Sequence, residues 1–222
     1  LGMGISKAKG MIFANKLAGK DGFVFVMTGD GELQEGQIWE SLVSAANTNL
    51  SELIVIVDHN KLQSDTLVEQ VSDLGDLERK FSSFGWRVLR CDGNDMQLFS
   101  DTLTEAKIHK NKPVVIIADT IKGKGVSFME HTSIDSDVEL YKFHSGAPTS
   151  DLYVAASEEL IIKTNNLLSE LGFEPLLMSS LERKSAPDIG EVEKLIGAYS
   201  QAIIAKAETR RDIVALDADL IL

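Results

Sequence analysis

The chain has 222 residues, with 34 acidic and 22 basic side chains and a formal net charge of −12, so general electrostatic binding to nucleic acid is excluded. A hydrophobic content of 44% fits a globular core and not a disordered chain, and no apolar run reaches the roughly 18 residues of a membrane span. The single cysteine, Cys91, excludes an intramolecular disulfide and a cysteine-based zinc site. A free thiol suits a reducing compartment, so we expect a cytoplasmic protein. The negative net charge and the lack of a long apolar run lead us to expect no nucleic-acid and no membrane partner.

Helix and strand patterns alternate along the first part of the chain, with short loops between them. The predicted strands at 23–27 and 53–57 are continuous apolar runs of the kind that is buried on both faces of a parallel sheet. Repeated strand–helix–strand units predict right-handed crossovers and an α/β fold with a doubly wound parallel sheet. The predicted elements are helix 5–20, strand 23–27, helix 36–49, strand 53–57, helix 74–84, strand 86–90, helix 95–110 and strand 113–118.

The pattern changes after Gly125. A polar surface loop, a helix closed by a glycine and a linker are predicted at residues 129–138, 154–171 and 173–187. An apolar helical stripe and a buried strand then begin a second α/β unit, which is truncated or packs on a partner because two elements cannot cover their own apolar faces. We divide the chain into a binding domain, a loop–helix–linker region and an incomplete second unit, at 1–130, 131–187 and 188–222.

Polar residues follow two of the predicted strands, at the points where these strands end. Asp30 lies in Gly29-Asp30-Gly31 after the first strand, and Asn60 follows the second. The carboxyl ends of parallel strands share one edge of a sheet, and neighbouring strands lie ~4.8 Å apart. We therefore expect Asp30 and Asn60 to lie within reach of one ion, at the edge where open α/β sheets bind ligands.

The chemistry of this pair favours a divalent cation bound to a diphosphate. Mg²⁺ prefers about six oxygen ligands and commonly keeps phosphate oxygens among them. One carboxylate, one amide oxygen and one backbone carbonyl leave room for two phosphate oxygens and a water, and the neutral amide adds no negative charge. Gly31 lets a phosphate approach the backbone closely, and the N-terminus of the helix after Gly36 offers free N–H groups to an anion.

A lone Gly-Asp-Gly is usually a turn, and a lone asparagine after a strand is usually a loop residue. Their combination is more specific, because the 28 residues between Gly31 and Asn60 hold one helix and one strand. This combination resembles the thiamine-diphosphate motif, and the chain is similar to the diphosphate-binding domain of the transketolase family. The segments that carry the resemblance are residues 1–8, 29–36 with 39–40, 58–63, 121–126 and 143–148, and residues 213–220 resemble the first strand of that family's pyrimidine-binding domain.

The resemblance implies a role for each matching residue. The implied metal ligands are Asp30, Asn60 and the carbonyl of Leu62. The implied cofactor contacts also include Leu1, Gly2, Gly29, Gly31, Gln63 and Asp219.

Three residues match positions that take part in proton transfer or catalysis in the family. Glu35 and Glu40 match a glutamate chain between the two active sites of a dimer, and His144 matches a histidine near the cofactor phosphate and the reacting carbons. Without the resemblance, the glutamates would be interpreted as a solvated helix face and His144 as a surface residue. His59, His109 and His131 are interpreted as structural or exposed.

The function implied is that of a thiamine-diphosphate-dependent transketolase, which moves a two-carbon ketol unit from a ketose to an aldose acceptor. Its cofactors would be thiamine diphosphate and Mg²⁺, with Ca²⁺ or Mn²⁺ as substitutes. Its partners would be free or phosphorylated sugars, and either a second copy or a complementing chain that carries the pyrimidine domain. In the family the activating glutamate lies beyond Leu222 and several substrate-contacting histidines lie upstream of Leu1, so we expect this chain alone to be almost inactive.

Two other functions stay open at this point. One is a different thiamine-diphosphate enzyme, a deoxyxylulose-phosphate synthase or a 2-oxo-acid decarboxylating enzyme, although the segment at 143–148 and the two glutamates favour transketolase. The other is a non-catalytic fragment that binds the cofactor without turnover. A nicotinamide-binding domain is less favoured, because Gly2-Met3-Gly4 opens no Gly-x-Gly-x-x-Gly motif and follows no visible strand.

Overall fold

The structure is a computed structural model, and it describes residues 1–133, 140–179 and 195–210. The chain divides into two compact units, Leu1–Leu176 and Leu177–Leu222. The described part of the second unit contains one helix, Leu195–Thr209. The predicted strand at 213–216 and Asp219 lie outside the described residues, so the start of a pyrimidine-binding domain at 188–222 stays a prediction.

The first unit alternates helices and strands in the predicted order. Its helices are α1 (Gly4–Leu17), α2 (Gly36–Asn47), α3 (Val68–Ser72), α4 (Leu77–Ser83), α5 (Met96–Ile108) and α6 (Ser150–Glu170), and the helix of the second unit is α7. Its strands are β1 (Val24–Gly29), β2 (Leu53–His59), β3 (Leu62–Gln63), β4 (Thr66–Leu67), β5 (Arg87–Asp92) and β6 (Val114–Asp119). Short 3-10 helices cover Gly31–Gln34 and His131–Ser133.

Four strands form a parallel sheet in the order β1-β2-β6-β5, which confirms the predicted α/β fold class. The register pairs Gly29 with Asp58 and His59 with Asp119. Because the strands run in one direction, the loops that follow them lie along a single edge of the sheet. Strands β3 and β4 form a separate antiparallel hairpin immediately after β2.

The two faces of the sheet are covered by different helices. Apolar side chains of α1, α2 and α4 form the larger core with one face of β2 and β6, while α5 packs on the other face against β5 and β6. The connection from β5 to β6 runs back toward β1, and a right-handed crossover in that direction requires α5 to lie on the opposite face. Each face of the central strands is therefore buried.

Strand β1 departs from the prediction of burial on both faces. Phe25 and Met27 are 45% and 72% exposed, whereas Val24 and Val26 pack against the larger core. These side chains are exposed because β1 lies at one edge of the sheet, whereas α5 packs on β5 and β6 at the opposite edge. The continuous apolar run therefore correctly predicted a strand. Its prediction that both faces of this strand are buried is wrong for the described part of the chain.

None of the helices in the described ranges combines the length and the apolar character that crossing a membrane requires.

We expect Phe81→Ala to lower the free energy of unfolding by about 3–5 kcal/mol, the usual cost of removing a buried aromatic side chain. Phe81 is fully buried, and its ring centroid lies 5.3 Å from that of Trp39 and 6.5 Å from that of Trp86. Urea unfolding followed by tryptophan fluorescence measures the change. The control is Phe173→Ala, whose side chain is 65% exposed and should change stability by less than about 1 kcal/mol. Equal losses in the two variants would contradict the assigned core.

Candidate functional site

The loops that follow β1 and β2 meet at the carboxylate of Asp30. This side chain is almost completely buried, at 1% exposure. Its Oδ1 accepts a hydrogen bond from the Gly31 N–H at 2.8 Å, and its Oδ2 accepts one from the Lys61 N–H at 2.5 Å. Lys61 directly follows Asn60 in the chain. The structure therefore brings Asp30 to the loop of Asn60, at the sheet edge where the sequence predicts both.

Burial is the main influence on the pKa of Asp30, and it raises that pKa because desolvation disfavours the carboxylate. The N–H groups of Lys61 and Gly31 act against this, since both donate to the charged form. His59 also lowers the pKa and Asp58 raises it.

The side-chain amide of Asn60 is oriented by a carboxylate that the sequence analysis did not single out. Asn60 Nδ2 donates to Asp58 Oδ2 at 3.2 Å, and Asn60 Oδ1 accepts from the Leu62 N–H at 2.9 Å. Thr120, which follows β6, donates its hydroxyl to Asp58 Oδ1. Because a carboxylate only accepts hydrogen bonds, Asp58 determines which amide atom is the nitrogen and leaves the oxygen on the Leu62 side.

Gln63, three residues after Asn60, packs closely against Gly31. A Cβ at Gly31 would lie 3.1 Å from Gln63 Cγ, so a larger residue would displace the glutamine. The Oε1 atom of Gln63 is buried and has no hydrogen-bond partner. A buried acceptor without a donor is costly, and a bound polar group is one way to satisfy it.

The candidate ligand atoms at this site are oxygens, and the kind of ligand atom determines which metal ions the site fits. Within residues 1–133, 140–179 and 195–210 there is no group of three or more His, Cys, Asp or Glu that could hold a metal ion. A metal at this edge would therefore use Asp30 together with the amide oxygen of Asn60 and a backbone carbonyl. Such a set fits hard cations such as Mg²⁺ or Ca²⁺, which also take phosphate or water oxygens, and not zinc.

The first residues of the chain reach the same edge through Glu32. The Gly2 N–H donates to Glu32 Oε1 at 2.7 Å, and the Thr28 hydroxyl donates to Glu32 Oε2 at 2.9 Å. Leu1 is 86% exposed. Glu32 thus ties the N-terminal loop to the end of β1, a role that the sequence analysis missed although the residue stands directly after Gly31.

The predicted proton-relay residues lie on the surface of the described chain. Glu35 is the N-cap residue of α2 and makes no side-chain capping hydrogen bond, and Glu40 lies on the same helix. Both are exposed. A short 3-10 helix, Gly31–Gln34, lies between Asp30 and the N-terminus of α2, which begins at Gly36 as predicted.

His144 contacts a lysine that the sequence analysis did not single out as a site residue. Its Nδ1 lies 2.8 Å from Lys122 Nζ, on the loop after β6. Burial lowers the pKa of Lys122, and the negative charges of Asp30, Asp58 and Asp65 act in the opposite direction. The structure therefore connects His144 to the acidic edge of the sheet through Lys122. The available sequence signal was that Lys122 lies in the segment 121–126, which resembles the transketolase family.

A second charged cluster lies at the ends of β2, β5 and β6. His59 Nδ1 lies 2.8 Å from Asp119 Oδ1, and Arg90 donates to both oxygens of Asp119, from Nε at 2.6 Å and from Nη2 at 2.9 Å. The Arg90 guanidinium holds the pKa of Asp119 at about 2, with a smaller contribution from His59. A cavity of about 430 Å³ opens beside His59 and Arg90, and neither Asp30 nor Asn60 lines it.

Comparison with known proteins identifies the family of this chain. Residues 1–138 match the family model described as transketolase, thiamine diphosphate binding domain. Because this match covers more than half of the chain, the chain belongs to the transketolase family and carries its thiamine diphosphate binding domain.

Two of its relatives are named as transketolase subunits. One belongs to the apulose-4-phosphate transketolase of Actinobacillus succinogenes and is 39% identical over 160 residues, which cover 72% of this chain and 55% of the relative. The other belongs to the 6-deoxy-6-sulfo-D-fructose transketolase of a Clostridium species and is 36% identical with the same coverage. The chain thus spans about half the length of these relatives.

Among solved structures, the transketolase of Campylobacter jejuni superposes with a TM-score of 0.57 at 27% identity. This match covers 80% of the present chain and 26% of the bacterial one. The transketolase of Leishmania mexicana gives a TM-score of 0.53 at 26% identity, with 82% and 24% coverage. The fold is therefore that of one part of a much longer enzyme.

We expect Asp119→Asn to reduce stability most at neutral pH. The pKa of Asp119 in the folded chain, about 2, lies below its ordinary value of 3.8, so the folded state favours the charged form. This contribution is complete above the ordinary pKa and is lost as the pH falls from about 4 toward 2. Urea unfolding at pH 6, 4 and 3 should show the difference between wild type and variant shrinking as the pH falls. Exposed Asp21→Asn is the control, and a pH-independent difference for Asp119→Asn would contradict the assignment.

Proposed function

We propose that this chain is the diphosphate- and metal-binding part of a thiamine-diphosphate-dependent transketolase. The observation that carries the proposal is the meeting of the buried Asp30 carboxylate with the Asn60 loop at the carboxyl edge of a parallel sheet. Open α/β sheets bind their ligands at this edge. The membership in the transketolase family supports the choice of cofactor.

In this proposal Mg²⁺ is held by Asp30, Asn60 and the carbonyl of Leu62, and Ca²⁺ or Mn²⁺ can replace it. The oxygen-rich donor set and the neutral amide suit a cation that is shared with a diphosphate. Asp58 orients the Asn60 amide through the hydrogen bond at 3.2 Å. Thiamine diphosphate, when bound, supplies the nucleophilic carbon and the electron sink that cleavage of a ketose carbon–carbon bond requires.

Further residues of this chain surround the proposed cofactor. The backbone of Gly29 and Gly31 lies against the diphosphate, and Gln63 supplies the buried oxygen that has no partner among the described residues. Leu1 and Gly2 contact the rest of the cofactor, and the family resemblance suggests the same role for Asp219, which lies outside the described residues. His144 donates a hydrogen bond near the phosphate and the reacting carbons, and Glu35 and Glu40 relay protons between two active sites of an assembly.

The proposed substrates are a ketose donor and an aldose acceptor, free or phosphorylated. The two relatives described above are named for an apulose-4-phosphate transketolase and a sulfofructose transketolase. We therefore propose that the complete enzyme acts on sugars of this general class. We also propose, from its free thiol, that it works in the cytoplasm. The pyrimidine-binding domain is supplied either by a complementing chain or by a second copy of the same protein.

We expect Asp30→Ala to weaken binding of thiamine diphosphate by on the order of 100-fold or more in the presence of Mg²⁺, because the buried diphosphate would lose its cation. Calorimetric titration of the full-length protein, with and without Mg²⁺, measures this loss. Asp92→Ala is the matched control: Asp92 ends β5 at the same edge of the sheet, and β5 is the strand furthest from β1. Undiminished Mg²⁺-dependent binding by Asp30→Ala would refute the metal site.

We expect ketol transfer to require the pyrimidine-binding domain. A coupled transketolase assay should give negligible turnover with this 222-residue chain alone, and turnover should appear when the complementing chain is added. Ordinary rates from the chain alone would contradict this division of the active site. Tight cofactor binding without turnover in the complete assembly would instead favour a non-catalytic protein, and release of carbon dioxide from a 2-oxo acid would favour a decarboxylating enzyme.

A further inference from the structure

We propose that Lys122 is the positioning residue of His144, and that its ammonium group sets the imidazole as a hydrogen-bond donor through Nε2. The relevance of this arrangement to ketol transfer rests on the proposed function. The arrangement itself is a property of this chain without a cofactor. It is built from three loops that the sheet brings together, which follow β2, follow β6 and precede α6.

The assignment of donor and acceptor follows from the chemistry of the two side chains. Lys122 Nζ lies 2.8 Å from His144 Nδ1. A lysine ammonium has three hydrogens and no lone pair, so it must be the donor. A neutral imidazole carries one hydrogen, and with Nδ1 accepting, that hydrogen is on Nε2. His144 therefore presents Nε2 as a donor to an oxygen of a ligand.

Lys122 can orient a partner because its own side chain is held on two further sides. Its Nζ donates to the carbonyl of Ser64 at 3.1 Å and lies 5.3 Å from the centroid of the Tyr141 ring, within the range of a cation–π interaction. Ser64 lies in the turn between β3 and β4, in the segment that follows Asn60. The ammonium thus joins the candidate metal loop directly to the loop that carries His144.

Tyr141 fastens the same two loops by its backbone and its hydroxyl. Its N–H donates to the carbonyl of Asp65 at 2.7 Å, and its hydroxyl donates to the carbonyl of Met129 at 2.9 Å. The residue is 5% exposed. Three residues before His144, the chain is therefore anchored both to the Asn60 loop and to the loop of Lys122, which limits how far the imidazole can move.

The backbone of Lys122 is also constrained. Its N–H donates to His131 Nδ1 at 3.0 Å, and the His131 N–H donates back to its carbonyl at 3.0 Å. The next residue, Gly123, has φ of +81°, and a Cβ there would lie 1.9 Å from the carbonyl oxygen of Met129. Only glycine fits this turn. The direction of the Lys122 side chain is thus determined by its loop.

Charges at the acidic edge of the sheet act on Lys122. Asp30, Asp58 and Asp65 favour its ammonium form, while burial, the larger influence, lowers its pKa. A methionine could occupy much of the same volume but would provide neither the charge nor the donor. In such a variant the imidazole would be free to exchange its hydrogen between the two ring nitrogens.

Nitrogen NMR of the full-length protein with ¹⁵N-labelled histidine, at pH 8 and without cofactor, tests the arrangement. His144→Gln identifies the signals of His144. In wild type we expect an unprotonated Nδ1 and a protonated Nε2, the same pattern in Lys122→Arg, and shifts averaged between the two tautomers in Lys122→Met. Lys124→Met is the control, because Lys124 lies two positions away and pairs with Glu130 instead. A hydrogen on Nδ1 in wild type, or unchanged His144 signals in Lys122→Met, would overturn the proposal.

A double-mutant cycle then tests whether Lys122 acts through His144. Calorimetry with thiamine diphosphate and Mg²⁺ is carried out on Lys122→Met, His144→Gln and the double variant. We expect Lys122→Met to weaken binding by on the order of 10-fold in wild type and to have almost no further effect in the His144→Gln background, as coupled residues do. Additive losses would overturn the proposal. If wild type binds no cofactor, the proposed function fails, and the NMR result still decides the role of Lys122.

Discussion

The structure of this site depends on one buried carboxylate that accepts hydrogen bonds from two loops. Asp30 is 1% exposed, and its two oxygens accept from the N–H groups of Gly31 and Lys61, at the ends of neighbouring strands. A buried charge is tolerated only where hydrogen bonds or an opposite charge compensate for lost solvation. The contact therefore holds the two loops in register and creates a position where a cation would be favourable.

Several candidate site residues near this carboxylate are held by other side chains of the described chain. Asp58 orients the Asn60 amide and is itself held by Thr120, Glu32 anchors the loop of Gly2, and Lys122 contacts His144. Rigid support of this kind is what a site needs to hold a ligand in one geometry. The holding residues come from the end of β2 and from the loops after β1 and β6, which a parallel sheet collects at one edge.

The sequence predicted the fold class and the meeting of Asp30 with the Asn60 loop, because both follow from the direction of parallel strands. It could not predict Asp58, Glu32 or Lys122 as supporting residues, since a polar residue near a strand end carries no signal about its partner. It also overestimated the burial of β1. The apolar run containing Phe25 and Met27 is typical of a central strand. Which strand lies at the edge depends on the spatial order of the strands in the sheet, which the apolar pattern does not reveal.

Composition, hydrophobic periodicity and the Gly-Asp-Gly and Asn spacing were enough to predict an α/β domain and the meeting of Asp30 with the Asn60 loop at one edge of its sheet, because these features act through local geometry and strand direction. The tertiary structure alone decided the strand order β1-β2-β6-β5, the exposed face of β1 and the partners of each site residue. These properties arise between residues that are far apart in the chain, such as His144 and Lys122 or Asp58 and Thr120. Their contacts are determined by packing, which no local pattern in the sequence records.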